Sequence, residues 1–479
     1  MRPLLQEVGP TLDPESLIEQ LGDAPGVVLL RSALFDSTQA RYSYIAARPF
    51  LTFRSFGARC ELRSARDGLR VQFGNPWHVL DGLMARYELL DEVDLPFPLG
   101  GCFGYWGYDL KNFVEPKLGR NAIDDLELPD CQVGFYDSLA VFDHRLQKTW
   151  IVSTGLTVDG SRTGAQAQQQ LAFWRTRLER GQGCSRVPEA KPELRRQDLR
   201  RSTFSRADFL AAVQRAQRYI QAGDIYQVNL AQRLAVPCDC TGWEIFQRLA
   251  EISPAPFSAY LDCGDFQIAS SSPELFLRLS GSHIQTRPIK GTRPRSADLT
   301  RDAQLTYELQ TSPKEMAELV MITDLLRNDL GRVCEYGSVQ VPELVRLERY
   351  PQVQHLVSTV EGRLRDGATH FMALAHCFPG GSVTGAPKIR AMEIIDELEP
   401  VTRGPYTGCL GYLGFNRESQ LSIIIRTAIC KGGWSYFHAG AGIVADSQPE
   451  AEYEETLAKA AGFLAVLHMP TLSEIPARV

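Results

Sequence analysis

Segments with strand-like and helix-like patterns follow one another irregularly along the second half of this 479-residue chain. Short apolar runs predict strands at 266–270, 275–279, 412–415, 421–429 and 436–444. Longer runs predict helices at 314–327, 387–397 and 450–467. Consecutive strands pair as antiparallel neighbours, whereas parallel strands need a crossover connection between them. The pattern therefore predicts an α+β fold with largely antiparallel sheets.

The composition is that of an ordinary globular protein and excludes several classes of partner. A chain of this length forms two ordinary domains or one large domain with two sheets. The formal net charge of -6 leaves no basic excess to attract nucleic acid or an anionic membrane. The 11 cysteines include no Cys-x-x-Cys pair, and the N-terminus lacks the apolar core of a signal peptide. We expect a cytoplasmic protein that binds neither nucleic acid nor membranes.

A polar segment with two prolines, at 181–201, predicts an exposed connector between two regions. After it, Ser205 and Asp208 are typical of a helix start, and Gly223 is typical of the end of that helix. The alternation over 225–236 predicts a strand whose polar face is either solvated or lines a site. The predicted organisation is an N-terminal region, a connector, a second region and a tail, at 1–190, 191–204, 205–467 and 468–479.

One lysine lies in a segment bounded by proline and glycine, where a tight turn is predicted. Residues 288–293 read Pro-Ile-Lys-Gly-Thr-Arg, and they follow a strand-like segment at 283–286. A primary amine kept from water can act as a nucleophile in its neutral form. Most lysines are solvated surface residues, so Lys290 gains interest only from the acids, glycines and arginine that follow it.

Four glutamates occur in two pairs with helical spacing. Glu315 and Glu318 lie on one face of a predicted helix, and Glu452 and Glu455 repeat this spacing near the C-terminus, followed by Lys459. Each pair alone is most simply a solvated helix face. If the two faces turned toward each other, their oxygens would suit Mg²⁺, which prefers hard oxygen ligands.

Three further features have both a structural and a functional interpretation. Arg426 interrupts an apolar run and needs an anionic partner, which is either a structural carboxylate or a carboxylate of a ligand. The glycine-rich segment 380–388 is typical of an anion-binding helix start or of a plain capped loop. Glu274 precedes an apolar run, where it is either a charge at the rim of a site or a general acid. His355 is either a hydrogen-bonded core histidine or a histidine of the site.

These motifs together resemble those of the chorismate-utilising enzymes. The resemblance rests on Ser-Pro-Glu at 272–274, the lysine segment at 288–293, and further segments at 223–230, 317–318, 324–329, 381–388 and 438–442. Their order and spacing match over about 205–467, and residues 1–190 resemble the N-terminal half of the members that transfer ammonia. The resemblance implies two large, mainly antiparallel sheets packed as a sandwich, with helices on the outside.

Two positions indicate a branch of this family. Members that hydroxylate chorismate carry a lysine where this chain has Gln227. Anthranilate synthase large subunits usually read Pro-Ile-Ala-Gly-Thr at this motif. The Pro-Ile-Lys-Gly-Thr form of this chain, with Lys290, resembles that of aminodeoxychorismate synthases, which act on the route to para-aminobenzoate and folate. The alternatives are an anthranilate synthase large subunit and a non-catalytic regulatory subunit that binds an aromatic acid. Lys290 disfavours the first, and the set of acids disfavours the second.

The resemblance also implies a mechanism with a covalent intermediate. Lys290 would attack C2 of chorismate while Glu274, as general acid, helps the C4 hydroxyl to leave. Ammonia would then attack C4 and displace the lysine, which gives 4-amino-4-deoxychorismate. The ammonia would come from a glutamine amidotransferase subunit, so the resemblance implies a heteromeric complex.

The remaining assignments are likewise carried over from the family. Mg²⁺ would neutralise the ring carboxylate, held directly by Glu318 and Glu455 and through water by Glu315 and Glu452. The substrate-binding positions are Tyr406, Arg426, Gly440, Gly442, Ser382, His355, Lys459 and Gln227. A tryptophan pocket would be formed by Ser32, Ser43, Pro254, Pro256 and Phe257, although Ser253 stands where relatives usually have asparagine.

Overall fold

The computed structural model describes residues 2–9, 12–32, 41–90, 95–179, 201–350 and 352–467. These residues form two antiparallel sheets of twelve strands each, with helices packed against them. The α+β class and the two-sheet architecture are therefore confirmed. Within these described ranges, no helix is both long enough and apolar enough to cross a membrane.

The first sheet combines strands from both ends of the chain. Numbered along the chain and given in spatial order, its strands are β1 (Leu4–Val8), β10 (Lys148–Ser153), β9 (Ser138–Asp143), β3 (Tyr42–Ala46), β2 (Val28–Arg31), β13 (Phe257–Asp262), β14 (Gln267–Ser272), β23 (Thr427–Lys431), β24 (Trp434–Ile443), β12 (Gln227–Pro237) and β11 (Arg201–Ser202), with β20 (Gly385–Ala386) paired to β12.

The second sheet is assembled in the same mixed way. Its strands, in spatial order, are β17 (Ile289–Pro294), β19 (Val353–Arg363), β16 (His283–Arg287), β15 (Leu275–Ser280), β22 (Glu418–Ile423), β21 (Cys409–Gly414), β7 (Gly101–Trp106), β8 (Cys131–Tyr136), β4 (Leu51–Phe56), β5 (Arg59–Ser64) and β6 (Gly68–Phe73), with β18 (Gln340–Arg349) paired to β19.

The helices lie mostly between strands that are neighbours along the chain. They are α1 (Pro14–Leu21), α2 (Pro76–Tyr87), α3 (Lys111–Val114), α4 (Gly164–Leu178), α5 (Arg206–Gln221), α6 (Gly242–Ile252), α7 (Leu299–Gln310), α8 (Pro313–Gly331), α9 (His370–Cys377), α10 (Lys388–Leu398) and α11 (Pro449–Val466).

Alternation along the strands produces two cores, one on each face of the first sheet. Val28 and Tyr44 join the core shared with the second sheet, where the Tyr44 ring lies 5.1 Å from that of Tyr412. Their neighbours Leu29 and Ile45 join the core shared with helices such as α4, α5 and α11. Since successive strand residues point to opposite faces, a strand buried on both faces is apolar throughout.

Local sequence signals locate several elements well. The Ser205 side chain accepts a hydrogen bond from the Asp208 backbone at the start of α5, and Gly223 adopts a positive φ just after it. Helices α8, α10 and α11 cover the segments that the apolar periodicity predicts. The N-terminal region and the region 205–467 are not separate in space, because β2 pairs with β13 and β7 pairs with β21. Residues 191–200 of the predicted connector at 191–204, and the tail at 468–479, lie outside the described residues, whereas Arg201–Ser202 form β11.

Two expectations about local structure are wrong. The segment 421–429 is not one strand: β22 ends at Ile423 in the second sheet, and β23 begins at Thr427 in the first. Arg426 lies at this crossing, with a φ of 50° that no regular strand contains. Lys290 is not in a turn but in β17, where the register with β19 shifts between Lys290 and Thr292. Gly291, with a φ of 66°, forms this bulge.

Candidate active site

A cavity of about 490 Å³ is lined by residues from both sheets and from α8 and α11. All residues predicted to act in catalysis, substrate binding or metal binding line it, although they are distant in sequence: Gln227, Glu274, Lys290, Glu315, Glu318, His355, Ser382, Tyr406, Arg426, Gly440, Gly442, Glu452, Glu455 and Lys459. The volume is that of a site for a small organic molecule.

The bulge in β17 presents Lys290 to the cavity. Its Nζ lies 3.9 Å from Oε2 of Glu318, and the Lys290 side chain is only 16% exposed. A Cβ added to Gly291 would lie 2.7 Å from Cδ1 of Leu309 and 3.1 Å from Oε2 of Glu315. Only glycine therefore combines the positive φ with this close approach of the helices.

Glu274 is a buried carboxyl group next to this lysine. Burial raises the pKa of Glu274, and hydrogen bonds from Ser382 and from the Ile289 backbone, together with the charge of Lys290, only partly offset this effect. The group thus holds its proton more tightly than an exposed glutamate does. A buried acid beside an amine is the pair that the predicted chemistry requires.

The four glutamates on α8 and α11 are interleaved with cations. Oε1 of Glu315 lies 3.3 Å from Nη1 of Arg293, and Oε1 of Glu455 lies 2.7 Å from Nζ of Lys459. Burial raises the pKa of Glu318, with a further contribution from the charge of Glu315. The carboxylates therefore lie close together in a partly desolvated environment, where they repel one another.

Glu452 extends this acidic wall on α11. Its Oε1 accepts a 2.6 Å hydrogen bond from the Ser447 hydroxyl, yet burial raises its pKa, and the charge of Glu455 adds to the effect. The sequence reasoning missed Lys314, which lines the cavity and whose charge acts on both Glu318 and Glu452. The sequence signal that could have identified Lys314 is its position next to Glu315 on α8.

The chemistry of this donor set fits a hard divalent cation. The glutamates offer carboxylate oxygens, and a bound cation would offset the burial and the mutual repulsion that raise the pKa of Glu318 and Glu452. Among the described residues, no three acidic or thiol or imidazole ligands converge into a ready-made metal cluster. A Mg²⁺ site needs only one or two direct carboxylate ligands, because water or substrate completes the shell.

Arg426 contributes a cation to the cavity wall. In the part of the chain that the structure describes, no ion pair involves its guanidinium, although surrounding protein atoms desolvate it enough to lower its pKa. The side chain is open to the cavity rather than packed into the core. An unpaired, partly desolvated guanidinium at a cavity wall favours the ligand interpretation over the structural one.

Glycines and polar side chains form the wall next to Lys459, whose Nζ donates to the Gly440 carbonyl at 2.8 Å. A Cβ at Gly440 would lie 2.6 Å from Oδ1 of Asn229 and 2.9 Å from the hydroxyl of Tyr406, and a Cβ at Gly442 would clash with Nε2 of Gln227. Burial raises the pKa of Tyr406 to about 12, so its hydroxyl remains a donor. Oε1 of Gln227 is buried without a hydrogen-bond partner.

Neutral histidines complete the cavity. Burial lowers the pKa of His355 to about 4, helped by the charge of Arg426, while its Nδ1 lies 2.8 Å from the Thr292 hydroxyl. His438, which sequence reasoning did not assign, stacks on Tyr406 with ring centroids 4.8 Å apart, and its buried Nε2 has no partner. Both imidazoles can therefore offer hydrogen bonds without adding charge.

Only some of the residues predicted to form a tryptophan pocket line a common cavity. A cavity of about 30 Å³ is lined by Ser32, Pro256 and Phe257, but not by Pro254. Ser43 does not line this cavity: its neighbours Tyr42 and Tyr44 do, so the Ser43 side chain lies on the other face of β3. There its hydroxyl accepts from the Ser32 backbone and lies 2.6 Å from Nε2 of His144. The space holds about one water and not an indole ring.

The fold and this cavity are typical of an enzyme that binds a small anionic molecule. The cavity offers an amine, a buried acid and a wall of carboxylates around the space for that molecule. Comparison with known proteins then identifies the family. The family model described as chorismate binding enzyme matches residues 30–465. The chain belongs to this family of enzymes that act on chorismate, which confirms the resemblance.

Relatives from two branches are similar to this chain. Anthranilate synthase component 1 of Acetivibrio thermocellus is 40% identical over 467 residues, 96% of this chain and 94% of the relative. Aminodeoxychorismate synthase component 1 of Escherichia coli strain K12 is 39% identical over 450 residues, 93% of this chain and 94% of the relative. The crystal structure of anthranilate synthase component I from Streptococcus pneumoniae TIGR4 matches with a TM-score of 0.75 and 31% identity, covering 89% of this chain and 93% of that one.

Proposed function

We propose that this chain is the chorismate-converting component of an aminodeoxychorismate synthase. It would convert chorismate and ammonia to 4-amino-4-deoxychorismate, on the route to para-aminobenzoate and folate. The observation that carries the proposal is the position of Lys290: its amine enters the cavity beside the buried acid Glu274. An alanine at this position, as in the usual anthranilate synthase motif, would offer no nucleophile.

In the first step the Lys290 side chain, once its ammonium group has given a proton to water, forms a bond from its nitrogen to C2 of chorismate. The ring double-bond electrons shift, the C4–oxygen bond breaks, and the hydroxyl leaves as water with the proton of Glu274. The proton lost by the lysine nitrogen then restores the Glu274 acid. The raised pKa of Glu274 supports this role, because the group must be protonated when the step begins.

In the second step ammonia attacks C4 of the covalent adduct. The C2–nitrogen bond breaks, and Lys290 leaves as an amine after taking up the proton that the incoming nitrogen releases. One difficult substitution is thereby divided into two easier ones. Arg426 and the Tyr406 hydroxyl would bind the enolpyruvyl carboxylate, Gly440 and Gly442 leave room for it, and Ser382, His355, Lys459 and Gln227 would contact the substrate elsewhere.

Glu318 and Glu455 would hold Mg²⁺ directly, and Glu315 and Glu452 would hold it through water. When bound, the ion would neutralise the ring carboxylate of the substrate. Lys290, Arg293 and Lys459 already balance part of the charge on these glutamates, so the wall is stable before the ion binds.

The decisive experiment is intact-protein mass spectrometry after incubation with chorismate and Mg²⁺ in ammonia-free buffer. We expect an adduct that maps to Lys290, followed by release of 4-amino-4-deoxychorismate when ammonium chloride is added. The Lys290→Ala variant should form no adduct. Fluorescent anthranilate as the product, with full activity in Lys290→Ala, would instead assign the chain to the other branch.

The ammonia would come from a glutamine amidotransferase subunit. The E. coli relative's name, component 1, supports a second component. Copurification of an amidotransferase that confers glutamine-dependent activity is the expected result. Activity with ammonium salts alone under every condition would contradict the proposed partner.

Tryptophan is a further proposed ligand, at Ser32, Pro256 and Phe257. Because the space there is now about 30 Å³, binding would require these side chains to move apart. Calorimetric titration with tryptophan should give a measurable heat and one site per chain. No heat at millimolar tryptophan would exclude it.

A further inference from the structure

Two cysteines separated by one residue lie where β12 passes into α6. Cys238 and Cys240 follow the end of β12 at Pro237, and Thr241 caps the first turn of α6 directly after them. The Cys240 backbone N–H donates to Sγ of Cys238 at 3.3 Å, and the Cys238 thiol donates a hydrogen bond to the Cys240 sulfur. The two sulfur atoms are therefore neighbours, although no disulfide joins them.

The surroundings of Cys240 favour the thiolate form. Nη1 of Arg248, two turns along α6, lies 3.6 Å from its Sγ, and the sulfur lies next to the N-terminus of that helix. The hydrogen bond from Cys238 and then the charge of Arg248 lower the pKa of Cys240, against the opposing effects of burial and of Glu244. The Glu244 carboxylate is itself engaged, because it accepts from the Thr241 backbone N–H at 2.7 Å.

The two thiols differ in their access to solvent. Cys240 is only partly buried, whereas Cys238 is 9% exposed, and its pKa is raised by its hydrogen bond to Cys240 and by burial. A thiolate that a reagent can reach, in contact with a second and more protected thiol, is the arrangement of an attacking and a resolving cysteine. The pair therefore suits reversible oxidation.

A third thiol, that of Cys430 on β23, lies near this pair and raises two alternatives. One is a metal ion held by three thiolates, but among the residues that the structure describes no three potential ligands are placed to hold a metal ion. The other is a disulfide to Cys430. Burial raises the pKa of Cys430 to about 11, so this thiol is rarely ionised and resolves an oxidised partner slowly.

The chain geometry favours a bond between Cys238 and Cys240 instead. Cα atoms two residues apart are separated by at most about 7 Å, and disulfides usually join Cα atoms about 4.4–6.8 Å apart. The bond would close across Asp239, which is exposed, so the loop can adjust without disturbing the core.

We propose that Cys240 and Cys238 form an oxidation site for hydroperoxides, of which hydrogen peroxide is the simplest. The Cys240 thiolate bonds to one peroxide oxygen, the O–O bond breaks, and the hydroxide that leaves takes a proton from solvent to become water. The Cys238 sulfur then bonds to the Cys240 sulfur, and the hydroxyl leaves as water with the Cys238 proton. The two thiols are oxidised to a disulfide, and the peroxide is reduced to two waters.

The oxidation site is separate from the active-site cavity. Neither cysteine lines that cavity, so this inference does not depend on the reaction proposed above. Disulfide formation would remove the negative partner of Arg248, whose Nη1 also donates to the Val466 carbonyl at the end of α11 at 3.2 Å.

Peptide mass spectrometry tests the site, because trypsin cleavage after Arg233 and Arg248 leaves both cysteines in one peptide, 234–248. The reduced protein is treated with hydrogen peroxide, and its remaining thiols are blocked with iodoacetamide in denaturant before digestion. We expect this peptide to lose about 2 Da, the two thiol hydrogens, and to carry no acetamide group. Dithiothreitol should reverse the change.

Two outcomes would overturn the proposal. A cross-link between peptides 234–248 and 427–431 would make Cys430 the partner. Complete alkylation of both cysteines, at a peroxide dose that oxidises free glutathione in the same sample, would show that the pair is not an oxidation site.

Serine variants separate the two roles. Cys238→Ser should stop at the sulfenic acid of Cys240, which dimedone labels, and Cys240→Ser should leave Cys238 reduced. Cys430→Ser is the matched control and should form the disulfide as the original protein does. Dimedone labelling of Cys430 instead of Cys240 in Cys238→Ser would contradict the assigned order of attack.

The role of Arg248 has its own readout. In the folded protein, Arg248→Gln should slow the alkylation of Cys240 by iodoacetamide about threefold or more, because less thiolate is present. Arg218→Gln, on the exposed side of α5, is the control and should leave this rate unchanged. Equal rates in the two variants would remove Arg248 from the site.

Discussion

At the scale of single residues, the active-site cavity depends on the absence of side chains as much as on their presence. Gly440 and Gly442 lie on β24, where they pair with Ala231 and Asn229 of β12 in a continuous ladder. Any Cβ at these positions would occupy the space between the strand and the polar groups around it. The cavity wall is thus shaped by backbone that only glycine leaves open.

Gly440→Ala should weaken substrate binding without unfolding the protein. The added Cβ would lie 2.6 Å from Oδ1 of Asn229 and 2.9 Å from the Tyr406 hydroxyl, so both groups must move away from the cavity wall. We expect the KM for chorismate to rise about tenfold, equivalent to the loss of one hydrogen bond of about 1.4 kcal/mol. Gly462→Ala on α11, where nothing lies within 4 Å, is the control and should stabilise the helix slightly. Equal KM values in the two variants would contradict this prediction.

Glu274→Gln should separate activity from stability. Because burial raises the pKa of Glu274, the folded protein binds this proton more tightly than the unfolded chain does. The contribution of Glu274 to the free energy of unfolding therefore decreases as the pH rises through the folded pKa. At pH 7 the variant should be at least as stable as the original protein in urea unfolding. Its rate of adduct formation should fall by about 10²- to 10⁴-fold.

The rate advantage of the original protein over Glu274→Gln should narrow as the pH rises through the raised pKa of Glu274, because the acid form is required for its contribution. Glu397→Gln, on the exposed side of α10, is the control and should match the original protein in rate. Adduct formation at the original rate in Glu274→Gln would remove Glu274 from the proposed mechanism.

At the scale of elements, the site is assembled by helices that belong to different parts of the fold. Helix α8 packs on β17 and β19 of the second sheet, whereas α11 packs on β24 of the first. Each helix alone carries two glutamates on one face, which has no special chemistry. Only the packing of the two sheets brings Glu318 near Glu455.

Mg²⁺ binding should depend on both helices. Glu318→Gln and Glu455→Gln should each raise the Mg²⁺ concentration required for half-maximal activity by roughly tenfold or more, since each removes one charged ligand. Thermal stabilisation by Mg²⁺ in the presence of chorismate should shrink in parallel, which gives a readout besides activity. Glu454→Gln is the control, because Glu454 is next to Glu455 but does not line the cavity. An unchanged Mg²⁺ requirement in both ligand variants would exclude this site.

At the scale of the whole molecule, both sheets are built from both ends of the chain. Strands β2 and β3 lie between β9 and β13 in the first sheet, and β7 lies between β21 and β8 in the second. A fragment that begins at residue 201 would leave β13 and β21 as long unpaired edges. Such a fragment would also lose the aromatic partners of its core, for example Phe103 against Tyr412.

The intact chain should therefore unfold in one cooperative transition. Circular dichroism and intrinsic fluorescence should report the same midpoint in guanidinium chloride, as expected when one core spans both regions. The fragment 201–479 expressed alone should be aggregated or unfolded. A stable, cooperatively folded fragment, or two separate transitions in the intact chain, would show that the N-terminal region is an independent domain.

The sequence alone determined the fold class and the main helices, and it predicted many of the residues that line the cavity. Local signals suffice for these: apolar periodicity locates α8, α10 and α11, and the spacing within Ser-Pro-Glu and Pro-Ile-Lys-Gly-Thr carries the family resemblance. The partner of Arg426 stayed open in the sequence, because the choice between a protein carboxylate and a ligand depends on contacts between distant segments.

Only the tertiary structure decided how the chain passes from one sheet to the other. The run 421–429 is uniformly apolar, and a strand buried on both faces looks the same whether it continues or crosses between sheets. The break at Arg426, the bulge at Gly291 and the face of β3 on which Ser43 lies all follow from pairing with strands far away in the sequence. Register and face are properties of a paired sheet, so no local pattern contains them.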